Sequence, residues 1–116
     1  QEATDLAVAV SRSAAEREMR LANADPKPRT MTVTTKVFLR NADVRAAVLV
    51  RANGSCEACA KPAPFLKRAD GTPYLEVHHR IPLALEGADT VENAIALCPN
   101  CHREAHHGLD QEKFRI

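Results

Sequence analysis

The segment that decides the fold is EVHHRIPLALEGADTVENAIALCPNCHREAHHG, residues 76–108. It contains all five histidines of the chain, and this clustering indicates a shared chemical site. His102 and His106 are spaced i, i+4, so on a helix their side chains lie on one face and can bind one ion. The run from His102 to His107, followed by Gly108, predicts about two helical turns closed by a glycine.

Two short apolar segments precede this helix. Residues 74–79 (YLEVHH) predict a strand that must end before Pro82, and residues 93–97 predict a second short segment. Side chains of neighbouring residues in a regular strand point to opposite faces. His78 and His79 can therefore share one site only if the strand is locally twisted.

The four cysteines occur as two CxxC pairs, Cys56/Cys59 and Cys98/Cys101. This is the spacing of zinc knuckles, in which two thiolates bind one ion at about 2.3 Å. No secretory signal or transmembrane run is recognisable, so we expect a cytoplasmic protein whose paired cysteines bind metal rather than form disulfides. A redox dithiol is the competing interpretation, which the lack of a strand–helix thioredoxin pattern disfavours.

The sequence upstream of the cysteines predicts further helices. Residues 3–23 predict one amphipathic helix, and residues 25–28 (DPKP) a linker. Residues 32–39 alternate between apolar and polar, which predicts a half-buried strand, with an extended connector as the alternative. A second helix is expected to start at Asn41 as N-cap and to close at Gly54.

Charge is unevenly distributed along the chain. The formal net charge is only +1, but residues 36–71 carry seven bases and three acids. This middle third can meet phosphates, whereas the whole chain lacks the strong positive field of a self-sufficient nucleic-acid binder. A domain of 116 residues also buries little apolar surface, so a structural metal is expected to stabilise it.

These motifs resemble the HNH family of endonucleases, also called ββα-metal or His-Me finger nucleases. His-His on a strand, Asn in the following segment and His-x-x-x-His on a closing helix match over residues 41–109, and the cysteine pairs match the zinc-braced bacterial restriction-type subset. That subset includes enzymes that cut modified DNA. The resemblance implies an α+β fold, a ββα-metal finger with a four-cysteine structural zinc site and additional N-terminal helices. It would divide the chain into an N-terminal helix and linker, residues 1–30, and an endonuclease domain, residues 31–116.

The resemblance also implies roles for individual residues. His79 corresponds to the general base that activates water, and Asn93 to the residue that orients it. His78, His102 and His106 correspond to the ligands of the catalytic divalent ion, and the products are 5′-phosphate and 3′-hydroxyl ends. Imidazole ligands suit Mn²⁺, Co²⁺ and Ni²⁺ better than Mg²⁺, so Mn²⁺ or Ni²⁺ is expected to activate at least as well as Mg²⁺.

Less specific interpretations stand beside these roles. Asn93 taken alone fits a helix or turn cap equally well. His102 directly follows a cysteine and is an alternative zinc ligand, although four thiolates already complete that site. Glu76 is either a partner of a metal ligand or an exposed strand acid, and His107 is expected to be a solvated surface residue.

DNA is the expected partner, and no membrane contact is expected. The chain opens on Gln1 inside a predicted helix, so we expect it to be part of a longer protein whose N-terminal domain reads the DNA. One site of this kind cuts one strand, so a double-strand break requires a homodimer or two successive nicks. A non-catalytic zinc-dependent nucleic-acid binding module is the alternative function.

Several cations adjoin the histidines or lie in the basic middle third, where they can contact DNA phosphates. Ordinary surface salt bridges are the alternative role for each of them. The candidates are Arg80, Arg103, Lys61, Lys67 and Arg68.

Overall fold

The computed structural model describes residues 2–115, and the chain divides into two compact units, Gln1–Thr35 and Lys36–Ile116. The first unit contains two helices, α1 (Glu2–Ser11) and α2 (Ala14–Ala22). The prediction of a single helix over residues 3–23 is therefore wrong.

The break between α1 and α2 has a local cause. The Ser13 hydroxyl caps α2 by accepting a hydrogen bond from the Glu16 N–H at 3.1 Å. The Arg17 guanidinium donates to the carbonyls of Ala9 and Arg12, at 3.3 and 2.7 Å, where α1 ends. Side-chain bonds thus satisfy backbone groups that a continuous helix would have satisfied itself.

The strand predicted over residues 32–39 is also absent. These residues form neither helix nor strand, and all of them are exposed. A strand needs a neighbour for its backbone hydrogen bonds, and the sheet in the described part of the chain contains only two strands, which pair with each other. The extended connector is the interpretation that agrees with the structure.

The second unit has the ββα order that the motif predicts, preceded by one helix. Its strands are antiparallel, with Glu76 opposite Leu97 and His79 opposite Ala94. The elements in chain order are α3 (Ala42–Ala52), β1 (Glu76–His79), a 3₁₀ turn (Leu83–Leu85), β2 (Ala94–Leu97), α4 (Pro99–His107) and a second 3₁₀ turn (Glu112–Phe114). The predicted α+β class is confirmed.

Helix α3 begins where its capping residue predicts. The Asn41 side chain accepts a hydrogen bond from the Asp43 N–H at 2.8 Å. The helix ends at Asn53, whose φ of 50° is left-handed, and Gly54 follows with a φ of 84°. Asn and Gly tolerate this conformation best, so the pair turns the chain toward the first cysteine.

Helix α4 is longer than the predicted run because it begins at Pro99. Cys98 is its N-cap, and the Cys98 Sγ accepts from the Cys101 N–H. Gly108 ends the helix in an extended conformation rather than the left-handed one. Glycine is needed there because a Cβ atom would lie 2.7 Å from the carbonyl oxygen of Glu104.

Strand β2 is buried along its whole length and separates two apolar clusters. Ile95 and Leu97 pack with Ala105 of α4 and with Phe114, and the thiols of Cys56 and Cys98 join them. Ala94 and Ala96 pack on Val48 of α3. The sheet therefore has α4 on one face and α3 on the other. His78, opposite Ile95, lies on the α4 face, and His79, opposite Ala94, lies on the α3 face.

Within residues 2–115, no helix has both the length and the apolar character required to span a membrane.

Candidate active site and metal centres

The four cysteines converge on one point. Their Sγ atoms all lie within 4.8 Å of one another, and those of Cys59 and Cys98 are 3.9 Å apart. Ligands that contact one tetrahedral ion at about 2.3 Å have this separation. The thiols of Cys56 and Cys98 are buried, whereas that of Cys59 is exposed. These four residues are positioned to bind a metal ion.

Each CxxC pair is shaped by its own backbone. The Cys59 N–H points to the Cys56 Sγ at 3.5 Å, and the Cys101 N–H points to the Cys98 Sγ at 3.4 Å. Burial acts to raise the pKa of Cys56, but hydrogen bonds from backbone N–H groups outweigh burial and lower it to about 7. Such donors stabilise thiolates, the form that binds metal.

Glu57, inside the first pair, ties this site to the sheet. Its carboxylate accepts from the Ala96 N–H at 2.9 Å and from the Arg51 guanidinium at 2.7 and 2.9 Å. Arg51 also donates to the carbonyls of Val91 and Ala94. The Arg51 hydrogen bond is the main cause of the lowered pKa of Glu57. Sequence reasoning missed this link, since no spacing rule connects an acid at 57 to an amide at 96.

A second cluster is formed by three imidazoles. Ring nitrogens of His78, His102 and His106 lie within 4.8 Å of one another, and the Nε2 atoms of His102 and His106 are 3.1 Å apart. A separation of 3.1 Å is close to that expected for two nitrogens that bind the same ion at about 2.1 Å each. The i, i+4 spacing on α4 brings the last two together as predicted. The alternative of His102 as a thiolate-site ligand does not fit this placement.

Glu76 contacts His102 at Nδ1, the ring nitrogen that does not face His106. The Glu76 Oε1 lies 2.8 Å from the His102 Nδ1, and the Tyr74 hydroxyl donates to the Glu76 Oε2 at 2.6 Å. Tyr74 is stacked on Phe65, with ring centroids 4.7 Å apart. Hydrogen bonds from Tyr74 first and His102 second lower the pKa of Glu76. A carboxylate on the far nitrogen is the usual support of a metal-binding histidine.

The surroundings of His78 and His106 favour the neutral form of both imidazoles. His78 is 7% exposed, and burial is the main reason why its pKa falls to about 4, with the nearby His102 and His106 adding to the effect. The pKa of His106 is lowered by burial and by His102. Neutral imidazoles have the free lone pair that binding a cation requires.

His79 faces away from this cluster, as regular strand alternation dictates. Its ring is 6% exposed, and its Nε2 lies 2.8 Å from the Asp89 Oδ1. The other carboxylate oxygen of Asp89 accepts from the Asn41 N–H at 2.6 Å. This Asn41 bond is the main cause of the lowered pKa of Asp89, and His79 is the next. An ionised carboxylate only accepts, so the His79 Nε2 carries the proton of this hydrogen bond, and in a neutral ring the lone pair is then on Nδ1.

Asp89 is the main site residue that the sequence did not indicate. Asn93, which the resemblance implies orients the base, holds the loop between the strands. Its side chain accepts from the Ile81 N–H at 2.9 Å and donates to the carbonyls of Ile81 and Ala88 at 3.0 and 2.7 Å. Asn93 is 6% exposed, and its bonds to Ile81 and Ala88 join the two ends of the segment that leads to Asp89.

One cleft nevertheless joins the two groups of histidines. His79 lines a cavity of about 290 Å³ together with His78, His102 and His106. Phe38 and Arg40, from the connector before α3, complete one wall. His79 thus shares a cavity with the three imidazoles although it follows His78 directly on β1.

The predicted phosphate-binding cations are scattered. Arg103 and Lys67 line a larger groove of about 780 Å³ that adjoins the cleft, and His107 lies there too. Arg80 lines a different cleft, beside the cysteines. Lys61 and Arg68 are exposed and line neither the cleft nor the groove.

Comparison with known proteins supports the interpretation of these motifs. Residues 56–108 match the family model for HNH endonucleases. The Type IV methyl-directed restriction enzyme EcoKMcrA of Escherichia coli (strain K12) is 53% identical over 88 residues, which are 76% of this chain and 31% of that protein. The structure of the Type IV phosphorothioation-dependent restriction endonuclease ScoMcrA matches with a TM-score of 0.58 and 40% identity, over 65% of this chain and 16% of that one.

The chain thus spans well under half the length of both relatives. The match covers both cysteine pairs and every histidine, the segment on which the predicted resemblance depends. Residues 56–108 of this chain are thus an HNH endonuclease family domain.

Proposed function

We propose that this chain is the DNA-cleaving domain of a restriction enzyme, which hydrolyses phosphodiester bonds with the help of a divalent cation. The observation that carries the proposal is the cleft of about 290 Å³, where His79 and three candidate metal ligands lie together. A base and a cation beside one reacting phosphate are what metal-assisted hydrolysis requires.

His79 is the general base in this proposal. Its Nε2 proton is directed to Asp89, so its Nδ1 can accept a proton from water. The resulting hydroxide attacks phosphorus, and the bond to the 3′ oxygen breaks. That oxygen takes a proton from solvent, which leaves 5′-phosphate and 3′-hydroxyl ends.

His78, His102 and His106 would hold the catalytic cation, which stabilises negative charge on the phosphate and on the leaving oxygen. The three nitrogen donors favour Mn²⁺, Co²⁺ or Ni²⁺ over Mg²⁺. The four thiolates would hold Zn²⁺ in a closed site that stabilises the fold, since thiolates and tetrahedral spacing suit that ion.

We further propose that a separate domain selects the DNA. The relatives are named for different modifications, methylation in one and phosphorothioation in the other, yet both match this chain. A cleavage domain shared by enzymes of different specificity is best explained if modified DNA is recognised elsewhere.

Plasmid nicking tests the proposal. Supercoiled plasmid, unmodified or methylated, is incubated with the protein and Mn²⁺, Ni²⁺ or Mg²⁺ beside a His79→Ala variant. We expect nicked circles with the intact protein, most with Mn²⁺ or Ni²⁺, and none with the variant. About one zinc per chain in both proteins controls for folding.

Two other outcomes are informative. No nicking by folded, zinc-loaded protein with any of the three ions would contradict the nuclease proposal and favour a non-catalytic nucleic-acid binding module. Linear product that appears without a nicked precursor would indicate a homodimer, because one cleft cuts one strand.

A further inference from the structure

A groove of about 780 Å³ continues from the cleft along the second unit. The two cavities share Phe38 and Arg40 as lining residues, together with His102 and His106. Two of the three candidate metal ligands, His102 and His106, therefore lie at the junction of the cleft and the groove, and a polymer bound in the groove passes them.

The charge of the groove is strongly biased. Four cations line it, Arg40, Arg45, Lys67 and Arg103, against one carboxylate, Glu76. Glu76 is already engaged by Tyr74 and His102. The positive charge of this groove favours binding of a polyanion, even though the net charge of the whole chain is only +1.

The cations are available for an external partner. The Arg45 and Arg103 side chains form no salt bridge within residues 2–115, and Lys67 has only a solvent-exposed contact with Asp70 at 3.6 Å. Exposed pairs of that kind contribute little stability. Arg45, Lys67 and Arg103 thus have no strong internal role that would account for their clustering.

We propose that this groove is the binding surface for the phosphate backbone of duplex DNA, with Arg40, Arg45, Lys67 and Arg103 as its phosphate contacts. The inference rests on the proposed nuclease function and deepens it. Arg40 and Arg45 enter as new contacts, supplied by the connector and by the exposed side of α3. The cations away from the groove, Lys61 and Arg68, have no part in binding.

The salt dependence of DNA binding tests this assignment. Affinity for a short duplex is measured from 50 to 200 mM salt with no added divalent ion, so that cleavage does not interfere. Each lost phosphate contact reduces the slope of log K against log salt concentration by about 0.9. We expect the slope to fall by about one in the single variant Arg45→Ala and by about two in the double variant Arg40→Ala/Arg45→Ala.

Two matched sets of variants make the test decisive. Arg115→Ala removes an arginine that pairs with Glu112 outside the groove, and should leave the slope unchanged. Lys61→Ala with Arg68→Ala should leave it unchanged as well. Arg40 lies close enough to Asp89 to affect its charge, so an effect of Arg40→Ala on binding could come from a disturbed active site. A reduced slope in the single Arg45→Ala variant does not have this explanation.

The proposal is overturned if the Arg45→Ala slope equals that of the intact protein, or if Lys61→Ala with Arg68→Ala lowers the slope instead. Tighter binding of duplex RNA than of duplex DNA would overturn DNA as the occupant. Absence of nicking by intact protein, together with the expected reduction of the slope in Arg45→Ala, would count against the nuclease proposal only, so the two failures are distinguishable.

Discussion

The buried His79 ring and the partly exposed Asp89 carboxylate form a pair, with Nε2 and Oδ1 2.8 Å apart. Asp89 is itself fixed by the Asn41 N–H at the start of α3. The candidate base is therefore held from a different element than the strand that carries it, and its tautomer is set by a carboxylate.

Removal of this carboxylate should slow cleavage without loss of the metal sites. We expect Asp89→Ala to lower the nicking rate by about 10- to 100-fold, since positioned proton transfer contributes about 100-fold or more. Single-turnover nicking measures the effect, and Asp89→Glu should restore part of the rate. Asp110→Asn, a change at an exposed acid, is the control. An unchanged rate for Asp89→Ala would show that the pair has only a structural role.

Glu76 should control the affinity of the histidine site for its cation. Partners on the far nitrogen of a ligand commonly change affinity by about 10- to 100-fold, so Glu76→Gln should weaken Mn²⁺ binding to that extent. Tyr74→Phe, which removes only the hydrogen bond to Glu76, should have a smaller effect. Calorimetric titration of zinc-loaded protein measures both variants. Equal affinities for intact protein and Glu76→Gln would refute the role.

Gly87 should be essential for the loop between the strands. A Cβ there would overlap the carbonyl oxygen of Ile81, whose backbone is held by Asn93. We expect Gly87→Ala to displace the loop and reduce both stability and nicking. Gly71→Ala is the comparison, because that Cβ meets nothing within 4 Å and only the left-handed φ of 72° costs about 1 kcal/mol. Equal losses of activity in the two variants would contradict this explanation.

Glu57 should contribute stability rather than catalysis. Glu57→Gln removes the charged bond to Arg51 but can still accept from the Ala96 N–H. Because the Arg51 side chain is 40% exposed, solvent weakens the pair, and we expect a loss of about 1 kcal/mol in the free energy of unfolding. Chemical denaturation measures the loss, and an unchanged nicking rate well below the transition separates stability from chemistry.

Cys98→Ser should separate helix capping from metal binding. Serine is a better N-cap than cysteine, so the start of α4 is preserved while a thiolate is lost. We expect the zinc content to fall and the melting temperature to drop by several degrees or more, because metal binding contributes folding free energy. A variant that keeps its stability without zinc would disprove the structural role of the cysteine site.

The sequence predicted best what depends on local spacing. The CxxC pairs and the i, i+4 histidines bring ligands together through one turn of backbone, so their convergence follows from spacing alone. Asp89 reaches His79 across a loop, and its second oxygen binds an amide 48 residues away, which no local rule could indicate. The break before α2 could have been predicted, because Ser13 and Glu16 have the spacing of a capping box. The apolar periodicity across the break favoured one continuous helix instead.

The separation of the cysteine pairs along the chain has a consequence for folding. Cys59 and Cys98 are 39 positions apart, and an ion that joins them closes a loop containing His78, His79, Asp89 and Asn93. Closure of a long loop removes entropy from the unfolded chain that a short loop would not. Release of the metal should therefore not unfold the cleft gradually, one residue after another. The enclosed segment should lose its order as one cooperative unit, and amide hydrogen exchange across residues 60–97 should rise together.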